Sequence, residues 1–249
     1  MQTKLKAVLF DWDGTLIDTT EHVYLANVEV MRAFGLPTLT RERYGEHFSA
    51  NWRLMYKAFG IPEHLIEGAA DVWHAAYHGH AAELLPGAYA ALTRLVDAGI
   101  PIGVVTAGDR KVVSVQLQRT GVVDLLGAVV YGDDALEQKP HPAPLRRGLA
   151  ALGHSGSTAD SAYLGDTLDD MRMARAVGSR DRRGLRPRGG GAVPSLEAEV
   201  LVPQQRARER RLAEVAVAVG DDDLADVVQT GALAPGLEQH RLREIGVRH

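Results

Sequence analysis

Asp11 and Asp13 open a series of polar side chains that recurs down the chain as Thr106, then Lys139, then Asp166 with Asp170. If Asp11, Asp13 and Asp166 share one pocket, their carboxylates repel one another strongly. A hard divalent cation held through carboxylate oxygens is the usual remedy, and magnesium is the ion expected.

Sharing a pocket requires elements that deliver these residues to a common edge. Lys6 to Phe10 is a short apolar run that stops at Asp11, as a buried parallel strand does at its C-terminal end. Pro101 to Val105, Ala128 to Tyr131 and Ser161 to Leu164 read the same way, the first and last running into Thr106 and Gly165-Asp166. Helical stretches lie between them, at Val112 to Gly121 and Ala143 to Gly153, and another ends at Ala98-Gly99. Strands alternating with helices predict an α/β fold, a Rossmann-like parallel sheet covered on both faces, with ligands at the carboxyl ends of the strands. From Thr19 to about Leu84 the spacing is helical throughout. Val23, Ala26, Val30 and Phe34 recur at three and four before Gly35 and Pro37 stop the first helix, so this stretch is expected as a helical insertion. The expected division is a core of residues 1–18 and 85–178, a helical cap of residues 19–84, and an atypical segment at residues 179–249.

The run Asp11-Trp12-Asp13-Gly14-Thr15, Thr106 after a strand, Lys139-Pro140, and Gly165-Asp166-Thr167-Leu168-Asp169-Asp170 resemble the four ordered motifs of the haloacid dehalogenase-like hydrolases. The resemblance spans residues 4–178, and the wording Asp-Gly-Thr-Leu-Ile-Asp-Thr from Asp13 to Thr19 is similar to the phosphoglycolate-phosphatase-like branch. It implies that Asp11 is the nucleophile, forming an aspartyl-phosphate that divides one difficult displacement into two. Asp13 is then the general acid and base, and its backbone carbonyl is a metal ligand. Asp11, Asp13 and Asp166 hold magnesium, while Asp170 braces Lys139 or a metal-bound water. Thr106, Lys139 and the backbone N–H at Ala107 bind the phosphoryl oxygens. Dehalogenases of the superfamily have no acid at the Asp13 position because halide leaves without a proton, so Asp13 points to phosphoryl transfer.

Bulk properties agree with such a protein. A chain of 249 residues, 45% hydrophobic, can bury a substantial core, and a formal charge of −4 gives no global basic surface for nucleic acid. The expected partner is a small phosphorylated metabolite. With no cysteine, thiol catalysis and disulfides are excluded. The first apolar run is too short for a signal-peptide core and no later run approaches a membrane span, so a cytoplasmic protein with no membrane partner is expected. Monomer and homodimer are not distinguished. A phosphomutase or pyrophosphatase of the same branch is the enzymatic alternative, and a catalytically impaired phosphate-binding protein is the alternative of another class.

Further residues compete for attention. His74 and His78 stand four apart, with His80 beyond, a spacing that can bind zinc, but an oxygen-rich site suits magnesium better. Trp52 with Tyr56, and Trp73 with Tyr77, are expected to pack among the cap helices rather than line a substrate pocket. His22 is a candidate for the pocket mouth. Of the adjacent acids, Asp170 is expected to point into the site and Asp169 to be a solvated first-turn acid.

After Gly178 the grammar breaks. Arg180, Arg182, Arg183, Arg186 and Arg188 crowd a stretch followed by Gly189-Gly190-Gly191, where the family resemblance implies another buried strand. One codon choice for Arg180-Asp181-Arg182-Arg183-Gly184, CGC-GAC-CGT-CGG-GGT, encodes Ala-Thr-Val-Gly and the start of a valine codon when read one nucleotide on. This suggests the hypothesis of a frameshift near Ser179, with non-native, poorly ordered sequence beyond it. An intact frame on resequencing the gene would refute it.

Overall fold

The apolar runs that end in acidic or hydroxyl residues form parallel strands in the computed structural model, which describes residues 5–179. They are β1 (Ala7–Phe10), β2 (Ile102–Val105), β3 (Ala128–Val130) and β4 (Ser161–Leu164), ordered β3-β2-β1-β4 with every pairing parallel. Parallel neighbours need crossover connections, and helices supply them. The helices are α1 (Thr20–Ala33), α2 (Arg41–His47), α3 (Trp52–Phe59), α4 (Ile66–Ala76), α5 (Ala88–Asp97), α6 (Arg110–Thr120), α7 (Ala143–Ala151) and α8 (Leu168–Val177). The α/β expectation therefore holds, with element ends shifted by a residue or two. The atypical C-terminal segment and the frameshift reading lie outside the described residues.

Alternation along the strands divides the core into two layers. Val8, Phe10, Ile102, Val104, Ala162 and Leu164 face one side, against α5 and α6 through Leu92, Leu95 and Leu117. Ala7, Leu9, Val105, Val130 and Tyr163 face the other, against α7 and α8 through Leu145, Leu149, Met173 and Val177. The approach on that side is close: a Cβ built on Gly148 of α7 would lie 2.5 Å from Leu9 Cδ2, so glycine is what lets the helix settle on the sheet.

The stretch between β1 and α5 is helical, as its periodicity predicts, and it has an apolar cluster of its own. Val30, Met31, Met55, Tyr56, Phe59 and Ile66 are buried together there. A left-handed glycine, Gly60 at φ +94, closes α3 and turns the chain toward α4. Among the described residues no helix is long and apolar enough to cross a membrane.

Candidate active site

Three of the four polar clusters stand where a strand stops, and the fourth lies on a connection between a strand and a helix. Asp11 follows β1 directly, and its N–H donates to Leu164 O at 2.7 Å, continuing the β1–β4 ladder by one residue. Thr106 follows β2 and donates its N–H to Val130 O at 3.0 Å. Lys139 lies on the connection between β3 and α7, at a cis bond to Pro140. Asp166 follows β4, and Asp170 sits at the third position of α8, where it forms a capping box with Thr167.

Lys139 ties these ends together. Its Nζ donates to Asp11 Oδ1 at 2.5 Å and to Asp170 Oδ1 at 2.8 Å, and all three side chains are buried. A buried ammonium and its carboxylates are tolerable only because they compensate one another, so each needs the others in place. Asp170 has its remaining acceptor positions filled as well. Oδ2 accepts from Thr167 N at 3.0 Å and Thr167 Oγ1 at 2.6 Å, and the Tyr163 hydroxyl lies 3.1 Å from Oδ1.

Asp11, Asp166 and Asp170 bring carboxylate oxygens within 4.8 Å of one another. Burial pushes the Asp11 carboxyl upward against the pull of Lys139, with Asp170 and Asp166 adding to the rise. Asp166 is open to solvent yet crowded by protein, and its carboxyl is pushed up to about 6 by desolvation first and by Asp170 second. Three acids against a single ammonium leave excess negative charge on hard oxygen donors. A divalent cation fits that donor set.

Asp13 points elsewhere. Its Oδ1 accepts from Thr19 Oγ1 at 2.6 Å, and burial raises its carboxyl above the ordinary range against that hydrogen bond. A Cβ built on Gly108 would lie 3.2 Å from Thr106 Oγ1 and 3.3 Å from Asp13 Oδ2, so the threonine hydroxyl and this carboxylate border the same space. Gly108 N donates to Thr106 Oγ1 at 2.9 Å, which leaves the hydroxyl proton free to turn outward. Gly14, at φ +77, lets the chain turn away from Asp13, and a Cβ there would come 2.7 Å from Asp166 Oδ2.

A cavity of about 150 Å³ opens over this cluster. Asp11, Asp13, Ala107, Lys139 and Asp170 line its floor, while Thr106 and Asp166 lie beside it rather than in its lining. The opposite wall comes from the insertion.

Several expectations about that wall change. Trp73 and Tyr77 stack at 4.6 Å, and Trp52 meets Tyr56 edge-on at 6.0 Å, so both pairs pack as expected, but all four also line the cavity. His22 is not in the lining. His74 Nε2 lies 2.8 Å from Asp109 Oδ2, and the metal-type cluster among the described residues contains no histidine. Asp169 is buried, not solvated: its Oδ2 accepts from Ser49 Oγ at 2.8 Å and Ala50 N at 3.0 Å. The insertion covers that acid, which a helix-start rule applied to α8 alone does not anticipate.

Two further supporting residues have no motif. Gln116, fully buried on α6, accepts from Trp12 Nε1 at 2.9 Å and donates to Tyr77 OH at 2.9 Å and Gly79 O at 2.8 Å, joining the first motif to the end of the insertion. Tyr163 shares its single hydroxyl proton between Val105 O at 2.9 Å and Asp170 Oδ1 at 3.1 Å. Their signals are a polar residue inside an apolar helix face and a tyrosine inside a strand.

The chain is similar to a phosphoglycolate phosphatase of Nitrosococcus oceani, at 32% identity over 68% of this chain and 79% of the relative. It is also similar to the N-acetylmuramic acid 6-phosphate phosphatase of Pseudomonas aeruginosa, at 33% identity over 71% of this chain and 80% of the relative. Among solved structures it resembles CbbY from Rhodobacter sphaeroides in complex with phosphate, with TM-score 0.59 and 25% identity over 71% of this chain and 84% of that one. Residues 8–180 match the family model described as haloacid dehalogenase-like hydrolase, and the chain belongs to that family.

Proposed function

We propose that this protein hydrolyses a small phosphate monoester with the help of magnesium, through an aspartyl-phosphate on Asp11. The observation that carries the reading is the Lys139 bridge between Asp11 and Asp170 at the carboxyl edge of the sheet. Burial raises the Asp11 carboxyl, and the ammonium 2.5 Å from its Oδ1 opposes that rise, favouring the ionised carboxylate that in-line attack on phosphorus needs. Asp13, whose carboxyl is raised, holds a proton for the departing alkoxide and takes one from the water that then cleaves the acyl phosphate. Thr106, Lys139 and the N–H of Ala107 meet the phosphoryl oxygens as charge spreads over them.

Asp11, Asp166 and the Asp13 carbonyl would hold the magnesium, with Asp170 bracing Lys139 from behind. When bound, the ion neutralises the phosphoryl oxygens and the excess carboxylate charge. Residues 19–84 act as a cap over a core of residues 1–18 and 85–178, excluding water and selecting the leaving group. The relatives' names make phosphoglycolate one candidate. A mutase would need acid and base groups from the cap, and Asp13 suffices for hydrolysis.

The test is magnesium-dependent phosphate release from p-nitrophenyl phosphate. Wild-type turnover is expected to fall about a thousandfold or more in Asp11→Asn. Equal turnover by that variant would remove Asp11 as nucleophile, and a folded wild-type protein without turnover would favour a phosphate-binding role.

A further inference from the structure

A polar atom on a buried aromatic ring is normally paired, because an enclosed hydroxyl or N–H that loses water must find another partner. Three rings around this site follow the rule. Trp12 Nε1 donates to Gln116 Oε1 at 2.9 Å, Tyr77 OH accepts from Gln116 Nε2 at 2.9 Å, and Tyr163 OH donates to Val105 O at 2.9 Å. Tyr56 departs from it. This residue is 2% exposed and packs in the apolar cluster of the insertion, yet its hydroxyl lines the cavity with no hydrogen-bond partner among the described residues. The indole N–H groups of Trp52 and Trp73 line the same cavity, also without a partner among the described residues.

Burial raises the Tyr56 phenol, so it keeps its proton and acts as a donor, while the packed ring beneath fixes where it points. Its surroundings lie toward the leaving group. Burial first, then Tyr56, Asp166 and Asp13, raises the phenol of Tyr44 in the same cluster, so these rings stand within electrostatic reach of the acid proposed to protonate the departing alkoxide. Met55 and Trp52 add mainly hydrocarbon to the lining beside it. A leaving group that displaces water there and brings no acceptor leaves the hydroxyl enclosed and unpaired.

From this contrast we infer that Tyr56 is a specificity-determining residue of the proposed phosphatase, its hydroxyl donating to an acceptor oxygen of the leaving group. The favoured substrates are phosphate monoesters of alcohols with a second oxygen beyond the ester carbon, as hydroxyl, carbonyl or carboxylate, and plain alkyl phosphates are disfavoured. This rests on the phosphatase reading and sharpens its substrate class.

Matched pairs with and without the distal oxygen test it: 2-hydroxyethyl phosphate and phosphoglycolate against ethyl phosphate, acetol phosphate against propyl phosphate, and glucose 6-phosphate against cyclohexylmethyl phosphate for a longer reach. Wild-type protein with magnesium is expected to favour the oxygenated member of at least one pair by about tenfold or more in kcat/KM. Tyr56→Phe keeps the ring and should reduce that ratio about tenfold, through KM more than kcat. The pair affected identifies which kind of oxygen is read. Calorimetric binding of that pair to Asp11→Asn, with and without Tyr56→Phe, should show the same loss without turnover.

No preference in any pair, or a preference that Tyr56→Phe leaves unmoved because both members fall together, overturns the inference. So does a loss of preference in Trp52→Phe or Trp73→Phe in place of Tyr56→Phe, which would assign the contact to an indole. Failure of the underlying reading looks different: p-nitrophenyl phosphate is then not hydrolysed, while the calorimetric preference still reads Tyr56.

Discussion

The two walls of the cavity are built on opposite principles. The sheet edge presents charged groups that hold one another, with Lys139 at 2.5 Å from Asp11 and 2.8 Å from Asp170. The insertion presents indoles, methionine and already-bonded polar groups. One wall is over-determined by electrostatics and tolerates little change. The other is a shaped apolar surface, where substitution alters fit before it alters chemistry. Under the proposed function, the comparison would assign rate to the sheet edge and selectivity to the insertion.

The largest break in that contrast should come from Lys139→Met. It removes the ammonium that Asp11 and Asp170 share, so activity on p-nitrophenyl phosphate is expected to fall at least about a hundredfold. Stability should drop by about 3 kcal/mol as buried carboxylates lose their partner. Urea unfolding and steady-state rates measure the two effects, and a Lys139→Met protein of wild-type stability would show that the bridge is not structural.

Asp169→Ala probes the seam between the walls. Losing the acceptor of Ser49 Oγ and Ala50 N should cost about 1–2 kcal/mol and raise KM several-fold. The kcat for p-nitrophenyl phosphate should change less than KM does. A pure kcat effect would instead place Asp169 with the chemistry.

The smallest expected effect concerns pH. In the metal-free protein Asp166 is pushed up to about 6 from an ordinary value of 3.8, so the folded state holds its proton longer than the unfolded chain does. Its contribution to stability is therefore present below about 3.8 and is lost as pH rises through 6. Magnesium should reverse the trend by favouring the carboxylate, so its stabilising effect grows from pH 5 to 7. Thermal melts across that range, with and without magnesium, should show the two curves diverging, and Asp166→Asn should bring them closer. Parallel curves would argue that Asp166 does not hold the ion.

Legibility followed the range of the interactions. Asp11, Thr106 and Asp166 were readable because a buried parallel strand ends where its apolar run ends, and the next one or two residues are delivered to the edge. The layering of the core was readable from alternation in runs such as Ala7-Val8-Leu9-Phe10. Gln116 was not readable, since it joins residues far away in sequence, Trp12 and Gly79. Asp169 was misread because a neighbour in space, the Ser49-Ala50 segment, covers a position that is exposed on an isolated helix.

By itself the sequence determined the strands, the order of the polar clusters along the chain and the helical character of the insertion, because periodicity and strand-end chemistry are local. Only the tertiary structure decided what faces what. It set the Lys139 ammonium between two acids, turned four aromatic side chains toward the same cavity, and paired Ser49, His74 and Asn27 with Asp169, Asp109 and Val23. Those outcomes depend on which surfaces meet when the insertion settles against the sheet edge, and no spacing along one segment encodes the partner it will find.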